Sequence, residues 1–514
     1  LATRIARAPI DFDNLGGLSV TEEHLLFVGT PAFFYGRDIE PGAQLRAYSF
    51  EDREVFPITD KISGYALAAA SKQVVVNQEG TLNRFDIKKD EQQAKKADLD
   101  SLTAVRVRAL EYEQIFDEVW RRFRDHFYVQ NMHGYDWVAL RDRYRPLLEH
   151  VAHRADLNYL IGEMIAELNV GHAYIAGGDI AGTERSSDAL LGATLELDES
   201  AGLYRIRAIY AGQNQEDKYR SPLTEPGVNA GPGDYVLAIN GRDLTAEVNP
   251  YSLLKGQGGR LLEITLADNA RGKDRRTVLI NPIASENDLL YLRWVEENRA
   301  RVNRETDGRI GYLHIPDMGP AGIYEFTKWF YGQVRKQGMI IDVRGNGGGN
   351  VSQMVINRLA RDLVFMGYDR GIDNLDTYPN VVFTGSLVAL LDEDSASDGD
   401  IFPAAFKALE LGPLIGKRSW GGIIGITNLG PLMDGGTVYV PQFATATAEG
   451  QWTIEGVGVE PDIEVDNPPE AVLRGEDPQL ERAIEEAVQL LRTKPGTLPP
   501  RPADPVKTPG TGSR

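Results

Sequence analysis

The chain has 514 residues, enough for about three or four domains, and its 75 Asp and Glu against 55 Lys and Arg leave a formal net charge of −20. That balance argues against nucleic acid as a partner, since phosphate recognition needs a basic surface; no apolar run is long enough to span a bilayer, and no signal-peptide pattern stands at residue 1. Zero cysteines exclude disulfides, a thiolate nucleophile and thiolate metal sites, and suit either redox environment. The first residue is Leu1 rather than Met, so the native N-terminus is expected upstream. We expect a cytoplasmic protein, or a periplasmic or secreted one if a signal peptide precedes Leu1.

Residues 1–98 read as short strands broken by turns. Leu25-Leu26-Phe27-Val28 leads to residues 44–50, and Gln73-Val74-Val75-Val76 leads to residues 80–87. The halves look like imperfect copies of one unit at a period of roughly 40 residues, as in propeller blades. Two copies cannot close a propeller, which needs about four. The expectation is the end of a larger β-propeller whose earlier blades lie outside this chain; a small sheet leaning on the next domain is the plainer alternative.

Residues 99–185 are expected to form a helical domain. Ile115, Phe116, Val119, Trp120, Phe123 and Phe127 recur at helical spacing, and a further helix follows around residues 157–168. Of seven histidines, His24, His133, His150 and His153 lack supporting context. His172 stands where a helix is expected to break at Gly171 and a β-like run, Ala173-Tyr174-Ile175-Ala176, begins. Such a junction suits a functional side chain, although a lone histidine is more often structural.

Residues 186–284 alternate strand patterns with turns. Gly231-Pro232-Gly233-Asp234, then an apolar strand and Asn240-Gly241, resembles a PDZ domain, which captures extended peptide ends by strand addition. An ordinary small β-domain with an Asn-Gly hairpin is the plainer reading.

Residues 285–493 carry the chemistry. Residues 309–315 and 339–344 read as buried strands, the second ending at Gly347-Gly348-Gly349. Three glycines after a strand let the backbone approach a ligand and point N–H groups at it. A phosphate loop would need a following Gly-Lys-Ser/Thr, which is absent. Downstream, Asp394-Ser395-Ala396-Ser397-Asp398-Gly399-Asp400 runs into apolar positions Ile401, Phe402, Ala405, Phe406 and Leu409, which reads as a tight loop opening a helix. N–H groups beside such a serine can stabilise an oxyanion, although Ser and Asp before a helix are usually N-caps. Asp477 and Pro478 suit the N-cap and first position of a last helix, and the Pro/Gly/Thr-rich tail, 494–514, is expected to be disordered or extended over a neighbour.

Four segments taken together resemble the tricorn branch of the tail-specific (carboxyl-terminal processing) serine proteases. They are residues 169–174, 342–350, 394–402 and 455–463, and the resemblance runs in order from about residue 111 to 491. It implies a multidomain α/β protein: a β-propeller-like remnant, a helical domain, a PDZ-like domain and an α/β serine protease domain. By the same match Ser397 is the nucleophile, the N–H groups of Gly349 and Asp398 form the oxyanion hole, His172 is the general base and Glu455 supports it. A serine hydroxyl needs such a base before it attacks. Gly347, Gly348 and Gly349 on one side and Ile423, Ile424 and Gly425 on the other would flank the peptide backbone.

Asp369 resembles the residue that favours a basic P1 side chain, reaching in from a neighbouring subunit; a surface Asp in a turn is the plainer reading. The resemblance further implies oligopeptide substrates, a homo-oligomer (a hexamer by family habit), aminopeptidases acting downstream, and no metal or cofactor. The more common tail-specific proteases use a Ser–Lys dyad, but Ser419-Trp420-Gly421-Gly422-Ile423 contains no lysine. The tricorn branch has a serine just before its histidine where this chain has Gly171, a difference that bears on base orientation and rate. Two other readings stand beside the endopeptidase: a PDZ-guided tail-specific processing protease, and a non-catalytic peptide-binding module.

Overall fold

The computed structural model describes residues 8–31, 42–68, 72–90, 93–99, 102–103, 105–182, 186–493 and 496–507. The architecture is multidomain α/β, as expected, and divides into two compact units: Leu1–Glu111 with Gly319–Tyr324, and Tyr112–Met318 with Glu325–Arg514.

The first unit contains two four-stranded antiparallel meanders. One runs Asn14–Val20, His24–Thr30, Gln44–Ser49, Val55–Thr59; the other runs Ile62–Leu67, Gln73–Gln78, Thr81–Asp86, Lys95–Lys96. The strands legible in the sequence are the inner ones, which carry apolar runs such as Leu25–Val28 and Val74–Val76. Their Leu26, Leu45, Ala47, Val74, Val76 and Phe85 are buried in one core with Phe56, Ile62 and Ile87. The outer strands Asn14–Val20 and Lys95–Lys96 are mostly exposed and carry no such signal.

In the second unit, helix Arg108–His126 from Tyr112 onward, with helices Trp137–Tyr144 and Arg154–Ala166, buries Ile115, Phe116, Val119 and Phe123 against Leu157, Ile161 and Met164. Ile424, Leu432, Val438 and Val440 belong to the same core, although they lie more than 250 residues later in the chain. Val438 and Val440 belong to a three-stranded sheet, Gly425–Asn428, Thr437–Phe443 and Tyr174–Ala176, in which Ile175 pairs with Val438. The helix before His172 ends at Ala166, and the chain turns at Asn169, in the left-handed region (φ 53°), rather than at Gly171. Asn tolerates that conformation better than most residues, which makes it the natural stop.

The small β-domain is a six-stranded antiparallel sheet. Asn240 (φ 49°) and Gly241 (φ 69°) form the expected two-residue turn between Tyr235–Ile239 and Arg242–Asp243.

The last domain is built on five parallel strands in the order Ile310–His314, Gly338–Asp342, Ser386–Leu391, Leu414–Gly416, Ile463–Glu464. The first three are buried along their whole length, as a parallel sheet covered on both faces requires. Val295 and Val302 of helix Asn287–Glu305 and Leu480, Ala483, Ile484 and Ala487 of helix Pro478–Thr493 pack on one face. Asp477 caps the latter helix as expected, Leu480 N donating to its Oδ1 at 3.0 Å. In parallel α/β sheets ligands bind beyond the carboxyl ends of the strands. The glycine loop leaves that end of Gly338–Asp342, and the serine turn leaves that end of Ser386–Leu391. No described helix is long and apolar enough to cross a membrane.

Candidate active site

Strands Gly338–Asp342 and Ser386–Leu391 are neighbours, Asp342 lying beside Leu390, so the loops that leave them meet. Ala396 N donates to Asn346 O (2.8 Å), and Ser395 Oγ donates to Val343 O (2.9 Å). The approach is close enough that a Cβ on Gly348 would stand 2.6 Å from Ser397 Cβ and 2.9 Å from Asp398 N. Gly348 also has φ +96°, so only glycine suits the position.

Ser397 immediately precedes helix Asp398–Ala408 with φ 58° and ψ −120°, a conformation costly for an L-residue. Its side chain makes no capping hydrogen bond, so the ordinary N-cap role is not the one it fills. Gly348 N donates to Asn346 Oδ1 (2.9 Å), whereas among the described residues the N–H groups of Gly349 and Asp398 have no acceptor. The Asp398 carboxylate is buried and occupied by Ser352, whose N–H donates to it at 2.8 Å.

His172 Nδ1 lies 2.7 Å from Ile424 O. A carbonyl only accepts, so the proton sits on Nδ1 and Nε2 is left free, the tautomer a general base needs. Trp420 and Tyr174 stand edge-on to the ring at 5.8 and 5.7 Å between centroids. A Cβ on Gly171 would meet the Trp420 indole at 3.2 Å, so a serine there would crowd the ring. Glu455 makes no hydrogen bond to His172. Its Oε2 accepts instead from Ile423 N (2.7 Å) and Ile424 N (3.0 Å), and so holds the segment whose carbonyl holds the imidazole. Burial, and after it the Glu455 charge, pushes the phenols of Tyr128 and Tyr174 up.

One cavity of about 250 Å³ is lined by His172, Tyr174 and Trp420 on one side and by Gly347, Glu393, Asp394 and Ala396 on the other. His172, the glycine loop and the turn that leads into Ser397 therefore open on a single space. No hydrogen bond joins Ser397 to His172; such bonds commonly close only in the substrate complex. A larger cavity, about 780 Å³, lies over Arg344 and Asp477 and shares only Glu393 and Asp394 with the first. Its ionic lining belongs to the sheet's own salt-bridge network.

Ile423 and Ile424 are buried, and Gly425 pairs with Phe443 at the start of the three-stranded sheet. Asp369 is not brought to this cavity. It is exposed at the turn of the hairpin Phe365–Asp369/Ile372–Tyr378, where its Oδ1 accepts from Gly371 N (3.3 Å). Of the tail, residues 496–507 run without helix or strand, and Arg501 Nη1 donates to the Asp369 carbonyl (2.8 Å). Three neighbours of these residues escaped the sequence reading: the Ile424 carbonyl on His172, the Trp420 ring beside His172, and Asp400. Asp400 is fully buried, yet in sequence it looks like an ordinary acidic residue in a first helical turn.

Residues 309–465 match the model of peptidase family S41, residues 108–166 that of the tricorn protease C1 domain, and residues 189–285 that of the tricorn protease PDZ domain. The chain is 34% identical over 517 residues to tricorn protease homolog 1 of Streptomyces coelicolor, covering 97% of this chain and 48% of that protein. It is 33% identical over 480 residues to the tricorn protease of Thermoplasma acidophilum, covering 92% and 44%. A putative tricorn-like protease C-terminal subunit of Sulfurisphaera tokodaii is 31% identical over 499 residues, covering 96% and 57%. A crystal structure of the tricorn protease superposes with a TM-score of 0.84 at 31% identity, over 94% of this chain and 47% of that one. The chain thus spans about half the length of the curated relatives it matches.

Proposed function

Because the chain is a tricorn protease homologue, carrying the C1, PDZ and S41 domains of the C-terminal part of that family, we propose that it is a serine endopeptidase that hydrolyses oligopeptides. Ser397 Oγ attacks the scissile carbonyl while His172 Nε2 takes its proton. The N–H groups of Gly349 and Asp398 receive the oxyanion. His172 returns the proton to the leaving amine, and water activated through the same ring hydrolyses the acyl-enzyme. Glu455 keeps the Ile424 carbonyl on Nδ1–H throughout. Gly347, Gly348 and Gly349 face Ile423, Ile424 and Gly425 across an extended peptide, which binds as an added strand.

The observation that carries this reading is Ser397 itself: a strained, uncapped serine at a helix start, beside two N–H groups that no acceptor among the described residues takes, directly after Ala396, which lines one cavity with His172. The test is hydrolysis of fluorogenic peptides with Arg/Lys, Phe/Leu or Glu at P1, together with labelling by a serine-reactive phosphonate. Ser397→Ala and His172→Ala are each expected to lose at least about 10⁴-fold in kcat, and Glu455→Gln to be reduced less. An active His172→Ala enzyme would remove the base from the mechanism. A wild type that binds peptides but neither cleaves nor is labelled would make the chain a binding module. Cleavage that demands a free substrate C-terminus would favour the tail-specific processing protease, for which the PDZ domain speaks.

The same reading extends to three further features. Asp369 serves a neighbouring subunit's site and favours basic P1 residues. The two N-terminal meanders are the last blades of a propeller. The protein works in the cytoplasm as a homo-oligomer upstream of aminopeptidases.

A further inference from the structure

We infer that Asp400 is a positioning residue for the general base, clamping the segment that orients His172 to the nucleophile's own helix. The inference rests on the Ser–His reading above and adds to it how two groups far apart in sequence are kept in one frame.

Asp400 lies three residues after Ser397, and its own N–H donates to Ser397 O (2.8 Å). Its side chain is fully buried with no cation among the described residues bound to it. It accepts instead from Gly421 N (2.8 Å) and Gly422 N (3.3 Å). Glu455 takes the next two amides, Ile423 N and Ile424 N, on its Oε2. Two carboxylates therefore bind four successive N–H groups, and the carbonyl closing that run, Ile424 O, holds His172 Nδ1. The run has no slack. Gly421 (φ +89°) would place a Cβ 2.5 Å from Gly458 N, a Cβ on Gly422 would overlap the Trp420 ring, and Gly456 N donates to Gly421 O (2.7 Å). Trp420, immediately before the run, is the ring that stands against His172.

A buried carboxylate without a cation is held against its desolvation by the hydrogen bonds it accepts, here backbone amides and Ser419. Burial pushes its carboxyl up, and the hydrogen bonds pull against that. What those bonds secure is the registry between the turn that presents Ser397 and the carbonyl that selects the His172 tautomer. Near-attack geometry is sensitive at this level, a displacement of about 1 Å costing about 10²-fold in rate.

Asp400→Asn puts an amide NH₂ where one acceptor stood, opposite a backbone N–H. It is expected to lower kcat by about 10²-fold with KM changed less than about twofold, and to broaden or shift the downfield proton resonance of His172 Nδ1–H. Asp400→Glu keeps the charge and displaces the carboxylate by one methylene; it guards against an Asn variant that fails to fold, and about a tenfold loss of kcat is expected. The Asp400→Asn/Glu455→Gln double variant should lose less than the two single losses multiplied, since both act through one segment. In the wild type, the amides of Gly421 and Gly422 should be as protected from hydrogen exchange as those of Ile423 and Ile424.

A folded Asp400→Asn or Asp400→Glu enzyme with kcat within about twofold of wild type, or free exchange of the Gly421 and Gly422 amides, overturns the inference. Both outcomes are distinct from failure of the Ser–His reading, which appears as a wild type that is not labelled at Ser397 or a His172→Ala enzyme that remains active.

Discussion

Ser397 is the residue at which local strain and chemistry coincide. Its backbone sits where glycine would be comfortable, and its side chain makes no capping hydrogen bond. The neighbouring Gly348 is the counterpart, since no side chain fits between the loop and the serine turn. Gly348→Ala would bring a methyl within 2.6 Å of Ser397 Cβ and 2.7 Å of Ala396 O, at a positive φ that alanine disfavours. The loop must move, and the Gly349 N–H moves with it. We expect a folded protein with kcat lowered by about 10²-fold, read by steady-state kinetics on the fluorogenic panel; full activity would separate the glycine loop from the site.

At the scale of an element, the helix Pro478–Thr493 shows how a cap can be shared with the sheet. Asp477 accepts from Leu480 N (3.0 Å) and bonds Arg344 Nη1 (2.9 Å) and Nη2 (3.0 Å), and Arg344 also reaches Asp342 at 2.7 Å. Burial pushes the Asp477 carboxyl up, but the Arg344 charge and the hydrogen bonds outweigh it, and the net direction is down. A carboxyl lowered by folding adds stability above its unfolded value of about 3.9 and loses it as pH falls through the lower folded value. Asp477→Ala should therefore cost on the order of 3 kcal/mol at pH 7, removing both a cap and half of a buried ion network. Guanidinium unfolding midpoints of the two proteins should converge as the pH falls through the lowered folded value of Asp477. A difference independent of pH would mean that the cap alone matters.

At the scale of the molecule, His172 and the segment around Ile424 lie far apart in the second unit's sequence and are joined through a shared core. His172 reaches Ile424 across 252 residues because strand Tyr174–Ala176 pairs with Thr437–Phe443, and because Ile424, Val438 and Val440 are buried with the helical domain's Phe116 and Phe123. Asp369, on an exposed hairpin away from the cavity, poses the complementary question between copies. If it serves a neighbour, Asp369→Asn should lose about tenfold in kcat/KM for an Arg-P1 peptide, and mixing with Ser397→Ala subunits should restore part of it. Mixing without recovery would return Asp369 to an ordinary surface turn.

Local signals carried the sequence reading as far as short-range physics reaches. The buried strands, the Asn240-Gly241 turn, the Asp477 cap and the serine turn opening a helix all depend on residues within a few positions of one another, and all are present in the structure. Side chains able to act as nucleophile, base and carboxylate could be nominated in the same way, because their chemistry is written in their identity. The outer strands escaped because exposed edges need no apolar alternation. Only the tertiary structure decided how the site is wired: Ile424 O on the imidazole, and Asp400 and Glu455 on four consecutive amides. Every non-proline residue carries the same N–H and C=O, so a site oriented through backbone groups leaves no mark in the sequence until the fold brings them together.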